Sequence, residues 1–108
     1  SLIVFRQLQR ESLRQIVDIE INQVGKRLAE KHMSLEVTVP AKDFLIDEGY
    51  DEKFGARPLR RSVEQFLEDP LAESLLRGEL KEHEPITVSV AESGKHLEFS
   101  QRSPAAEV

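Results

Sequence analysis

Cysteine is missing altogether from the 108 residues. Its absence removes a disulfide framework and any thiolate metal site, and it fits a cytoplasmic location better than secretion. Long apolar runs are missing too: the longest, such as Leu2-Ile3-Val4-Phe5, reach about four residues, against the roughly 20 needed to cross a bilayer. No basic-then-apolar leader is expected. A soluble protein without a membrane partner is expected. Positive charge is not in excess either, with 15 Lys and Arg against 20 Asp and Glu, a formal charge of −5 and a pI near 5.2. A general nucleic-acid binder, which normally presents a net basic surface, is disfavoured.

Several chemistries are excluded in the same way. A phosphate-cradling loop needs Gly-x-x-x-x-Gly-Lys-Ser/Thr, and the two Gly-Lys pairs, Gly25-Lys26 and Gly94-Lys95, lack both the earlier glycine and the final hydroxyl. The chain alone is therefore not expected to be an enzyme. His32, His83 and His96 share no metal-ligand spacing, and no serine or threonine sits in a nucleophile-elbow setting. Phe44-Leu45-Ile46-Asp47-Glu48 superficially resembles an apolar strand ending in magnesium-binding and water-activating carboxylates. Pro40 before it, Gly49 after it and its helical spacing make Asp47 and Glu48 a solvated helix end instead.

What is present, 39% apolar and 32% charged residues, suits one small domain. The first residue is serine, and an excised piece of a larger chain is expected, cut beside an extended apolar segment at Leu2–Phe5. Residues 1–99 read as the domain and 100–108, aperiodic, as a flexible tail. Leu13, Ile16, Val17, Ile21, Val24 and Leu28 recur at three- and four-residue steps, which predicts an amphipathic helix from near Arg10 to Lys31. Leu35–Val39 alternates as a short strand. Pro40 to Gly49 forms a second helix, with Gly49 in the left-handed closing position. Leu59, Val63, Phe66 and Leu67 mark a third helix starting near Gly55, since Pro58 is tolerable only in a first turn. Asp69-Pro70 restarts a fourth at an angle, carrying Leu71, Leu75 and Leu76 and ending at Gly78. Ile86, Val88 and Val90 alternate, and Glu92-Ser93-Gly94-Lys95 turns the chain so that Leu97 and Phe99 pair back. The fold class is α+β: about four helices and a sheet of two strands, or three with Leu35–Val39.

The most informative stretch is Gly55-Ala56-Arg57-Pro58-Leu59-Arg60-Arg61. An arginine at a helix start, beside small residues, can hold a phosphate with two parallel hydrogen bonds where the helix dipole also favours anions. Arg57 is thus a candidate phosphate sensor. The plain alternative is a solvated basic strip, Arg57 with Arg60 and Arg61, answering Asp51-Glu52 and Glu68-Asp69.

Taken in order, Ile3-Val4-Phe5-Arg6-Gln7-Leu8, Leu13-Arg14-Gln15-Ile16-Val17-Asp18, the block from Gly49 to Arg61, and Glu68-Asp69-Pro70-Leu71-Ala72-Glu73 resemble the C-terminal small domain of Clp-family AAA+ unfoldases, of the second-ring ClpC or ClpB type. The likeness runs from about Leu2 to Phe99. It implies that Gly55-Ala56-Arg57 is a sensor-2 motif, with Arg57 on the terminal phosphates of ATP and Gly55 and Ala56 letting the backbone approach. It also implies that Ile16 packs on the adenine ring. Magnesium, the phosphate loop and the catalytic glutamate would belong to a large AAA+ domain absent from this chain. Further implied partners are that large domain in the same chain and in the neighbouring subunit, a homo-hexamer, a peptidase ring and polypeptide substrates. Gln9 and Val39 depart from the family, which usually places Ser or Thr there as helix caps. Two readings compete: a winged-helix DNA-binding module, with Arg57, Arg60 and Arg61 on its recognition helix and Lys95 in the wing, and a passive protein-interaction adaptor.

Overall fold

A computed structural model describes residues 2–50 and 58–101, with side chains from Arg10 onward. The elements are α1 (Leu2–Ala29), β1 (Leu35–Val37), α2 (Val39–Gly49), α3 (Leu59–Val63), a π turn (Glu64–Glu68), α4 (Asp69–Leu76), β2 (Ile86–Val90) and β3 (Leu97–Gln101). This is an α+β arrangement, as expected, and the sheet has three strands in the order β1-β2-β3.

The first helix is longer than its apolar stripe suggests. It runs from Leu2, so the stretch expected to be extended is helical. No proline or glycine interrupts Leu2 to Val24, and residues of moderate to good helix propensity dominate, so propagation continues once started. Leu13, Val17, Ile21, Val24 and Leu28 carry the buried stripe. The helix stops at a Schellman-type turn. Met33 N–H donates to Leu28 C=O and His32 N–H to Ala29 C=O, both at 3.0 Å. His32 occupies the left-handed position that glycine usually takes, with φ 61°.

β1 ends at Val37, two residues earlier than expected, because Thr38 serves as the cap of α2: its Oγ1 accepts from Ala41 N–H at 3.2 Å. The missing hydroxyl at Val39 is therefore no departure in function, since the cap sits one residue upstream. Gly49 is helical rather than left-handed. Its value is steric: a Cβ there would lie 2.7 Å from Ser62 Cβ and 3.0–3.1 Å from Leu59, so only glycine lets α3 cross α2 so closely.

From Leu59 to Leu76 the chain is helical throughout, without the expected corner at Asp69-Pro70. Pro70 has no N–H and would clash with the carbonyl four residues back in a regular α-helix. The π turn widens the ring instead, with Asp69 N–H reaching Glu64 C=O. Gly78 then closes α4 at φ 73°, where Glu79 N–H donates to Ser74 C=O at 3.0 Å and Gly78 N–H to Leu75 C=O at 3.1 Å.

β1 pairs parallel to β2, Leu35 opposite Ile86 and Val37 opposite Val88, and α2, α3, the π turn and α4 lie in the crossover that parallel pairing requires. β2 and β3 form the expected antiparallel hairpin, Val88 opposite Phe99 and Val90 opposite Leu97, turned with Gly94 at φ 73°. β3 continues through Ser100 and Gln101, residues the sequence reading assigned to the tail. The Gln101 amide holds them: its Oε1 accepts from Lys81 N–H and its Nε2 donates to Lys81 C=O, both at 2.7 Å, and also to Glu84 C=O at 3.1 Å. Residues 102–108 lie outside the described residues. One core joins the layers, with Val17, Leu45, Leu59, Leu67, Ile86 and Val88 fully buried and Phe44 edge-on to Phe66 at 5.2 Å.

Candidate nucleotide-sensing site

Ile16, expected at the adenine ring, lies on α1 between the core residues Leu13 and Val17 and is half-buried, packed against the core with one side left accessible. A side chain so placed can offer an aliphatic surface to a flat ring without leaving a cavity behind. Gly55, Ala56 and Arg57 lie outside the described residues, and so does the expected helix start near Gly55. The helix that follows them begins at Leu59 with Pro58 in the N-cap position, and Pro58 C=O accepts from Ser62 N–H at 2.9 Å. Pro58 thus sits at the helix edge, where its missing N–H costs nothing.

The two sides of the Gly55–Arg57 block are clamped together. On one side Gly49 ends α2 and Tyr50 N–H donates to Ile46 C=O at 2.8 Å. On the other, Ser62 of α3 donates its Oγ–H to Leu45 C=O at 2.8 Å. Ser62, 3% exposed, is the only buried polar side chain among the described residues, and its bond is made in the core where water cannot replace it. The Gly49 contact and the Ser62 bond together fix the spacing of α2 and α3. Gly49 looks like a terminator in the sequence and Ser62 does not stand out there, because a lone serine in a helix carries no local signal of a partner 17 residues away.

The neighbouring charges are engaged with carboxylates. Arg60 Nε lies 3.5 Å from Glu64 and 4.0 Å from Glu20, and Arg61 is exposed. Glu68 bonds to Arg27 of α1. Asp47 and Glu48 are exposed on the last turns of α2, as expected, and Asp47 receives a hydrogen bond from Arg10 at 2.7 Å. That bond is the main reason the Arg10 guanidinium is held above its ordinary, already high pKa, with the charges of Asp47 and Asp43 adding to it and partial burial opposing. Among the histidines, His32 and His83 stack with ring centroids 5.1 Å apart and planes 15° from parallel, and His83 N–H donates to His32 C=O at 3.1 Å. In-plane lone pairs on stacked rings run side by side and do not converge on one ion. No group of three or more His, Asp or Glu among the described residues is arranged to hold a metal. No helix among them is long and apolar enough to cross a membrane.

A small helical domain closed by a parallel-plus-antiparallel three-stranded sheet, with a tight α2–α3 crossing on either side of a Gly-Ala-Arg block, is the form of an AAA+ lid. Comparison with known families bears this out, since the family described as the C-terminal, D2-small domain of ClpB protein matches residues 8–88. The chain belongs to that family. Among its relatives, the chaperone protein ClpB of Corynebacterium efficiens is 41% identical over 101 residues, covering 94% of this chain and 12% of that protein. ClpB of Mycobacterium leprae is 45% identical over 97 residues, 90% of this chain and 11% of the relative. The chloroplastic chaperone protein ClpC1 of Oryza sativa subsp. japonica is 46% identical over 95 residues, 88% and 10%. The chain therefore spans about one tenth of the length of the relatives it matches. The winged-helix and adaptor readings give way to this membership.

Proposed function

We propose that this chain is the C-terminal lid of an ATP-dependent Clp chaperone subunit, and that it reports the state of a nucleotide through Arg57. The observation that carries the reading is the family match over residues 8–88, a range that includes Ile16, Gly55, Ala56 and Arg57. In this reading ATP and its magnesium are held by a large AAA+ domain elsewhere in the full-length protein, which also supplies the hydrolytic groups. Arg57 reaches the terminal phosphates, Gly55 and Ala56 keep the backbone close, and Ile16 covers the adenine.

The physics of the lid then follows. A charge-assisted hydrogen bond is worth roughly 1.5–3 kcal/mol. If Arg57 makes such bonds before hydrolysis and loses some when phosphate leaves, that difference biases the angle between lid and large domain. The α2–α3 crossing matters because a sensor transmits only what its anchor does not absorb, and Gly49, Leu59 and Ser62 leave no slack there. In a homo-hexamer the lid also packs on the neighbouring subunit's large domain, so one nucleotide state reaches the next subunit. The output is the threading of polypeptides for refolding or for a peptidase ring, in the cytoplasm or an equivalent compartment, with neither nucleic acid nor membrane as a partner.

Replacing Arg57 by alanine in the full-length protein is expected to abolish ATP hydrolysis coupled to unfolding, while the same change in this chain leaves its melting temperature unaltered. Normal unfoldase turnover in that variant rules the assignment out.

A further inference from the structure

Ion pairs between α1 and α2 form a ladder whose polarity reverses at one end. Arg10 Nη2 donates to Asp47 Oδ1 at 2.7 Å, and its Nη1 lies 3.6 Å from Asp43. One turn along, Arg14 forks onto Asp43 with Nε and Nη2 at 3.0 and 3.1 Å. A turn further, Asp18 meets Lys42 Nζ at 2.8 Å. The α1 members are thus spaced four residues apart while their partners on α2 descend from 47 through 43 to 42. The helices run antiparallel, and the order is plus, plus, minus against minus, minus, plus.

The apolar seam beneath distinguishes this register only in part. Leu13, Val17 and Ile21 are buried aliphatics at the same four-residue spacing, so sliding α1 by one turn exchanges one aliphatic for another in the middle of the seam, although it brings Gln9 or Gly25 in at one end of these three. The charges add to the distinction. A slide of one turn in one direction sets Asp18 against Asp43, and in the other it sets Arg14 against Lys42. Each wrong register brings like charges together, which is how a polar pair specifies an arrangement rather than merely stabilising it.

We infer that Arg10, Arg14 and Asp18 with Asp47, Asp43 and Lys42 are a charge-coded register lock, and that these positioning residues set the place of Ile16 along α1. Ile16 lies between Arg14 and Asp18, and a one-turn slide moves it about 5.4 Å along the helix axis. The part concerning Ile16 rests on the lid reading above. The lock itself does not.

The test uses Asp18→Lys, Lys42→Asp and a full swap of the ladder (Arg10→Asp, Arg14→Asp, Asp18→Arg, Lys42→Asp, Asp43→Arg and Asp47→Arg), which inverts every charge and so keeps the order that codes the register. In this chain, amide hydrogen exchange is followed across residues 10–18. Each single reversal is expected to speed exchange there roughly three- to tenfold, and the swap to return it to within about twofold of the parent. Raising the salt to about 1 M should shrink the difference, because these side chains are partly exposed. A swap that exchanges as fast as the singles, or singles that exchange like the parent, overturns the lock. If a reversal prevents folding, Asp18→Asn and Lys42→Gln take its place with the same expected direction. In the full-length protein the singles are expected to raise KM for ATP several-fold at unchanged kcat, with rescue by the swap. A KM that stays fixed while exchange responds overturns the positioning of Ile16 and leaves the lock standing.

Discussion

Replacing Gly49 by alanine adds a single methyl group where the chain has no room for one. The new Cβ would meet Ser62 Cβ at 2.7 Å, Leu59 Cδ2 at 3.0 Å and Leu59 Cα at 3.1 Å, whereas carbon atoms prefer about 3.5–4.0 Å. Leu59 Cδ2 can swing aside. Ser62 Cβ and Leu59 Cα cannot, because they move only with the α3 backbone, so α3 must retreat from α2 by most of an ångström. Overpacking of this kind costs about 1–3 kcal/mol. The retreat also stretches the 2.8 Å bond from Ser62 to Leu45 C=O, worth about 1 kcal/mol, while the better helix propensity of alanine returns up to about 1 kcal/mol. The balance is a loss of about 2 kcal/mol, which for a domain of this size lowers Tm by about 10 °C. Thermal melts followed by circular dichroism read it directly. Two other glycines serve as controls of opposite sign. A Cβ at Gly25 or at Gly78 meets nothing within 4 Å. Gly25→Ala in mid-helix should therefore stabilise by about 0.5–1 kcal/mol, and Gly78→Ala, held at φ 73°, should destabilise by about 1–2 kcal/mol through backbone strain alone. A Gly49→Ala protein melting at or above the parent temperature would refute the close crossing and the rigidity assigned to it.

Other expectations follow from single contacts. Thr38→Ala should cost about 1 kcal/mol by removing the cap on Ala41 N–H, whereas Val39→Ala, at an exposed position, should shift the urea midpoint little; a larger effect at Val39 would move the cap. Leu67→Ala empties a fully buried site at the π turn and should cost about 2–5 kcal/mol in denaturant unfolding, and a smaller loss would mean that the turn collapses onto the gap. Gln101→Ala removes three bonds to Lys81 and Glu84; amide exchange over residues 79–84 should rise while the core amides of β2 stay protected, and unchanged exchange would show that the loop is held by something else.

The helices, the hairpin and the α+β class were legible because each rests on a local rule. A three- and four-residue apolar period places α1 whatever surrounds it, Gly78 ends α4 because only its backbone accepts a positive φ without strain, and alternating Ile86, Val88 and Val90 can bury only one face of a strand. The candidate site was legible in part. The Gly-Ala-Arg block stands out as a motif and Ile16 only through the family resemblance, and the structure locates Ile16 and the clamp that brackets the block.

Tertiary structure decided the rest, where the cause of a local feature lies far along the chain. Gly49 reads as a helix terminator in sequence, yet its use is to admit Ser62 and Leu59 from another helix. Asp69-Pro70 reads as a corner, but Leu67 and Leu71 are both held in the core, so the helix continues and absorbs the proline by widening to a π turn. Arg10, Arg14 and Asp18 carry no local signal of their partners, which α2 supplies in complementary order. The sequence alone determines what each segment can become, because propensity, capping and periodicity act within a few residues. Which of those possibilities is realised depends on side chains far apart along the chain meeting across a packed interface, and that is settled only when the core closes.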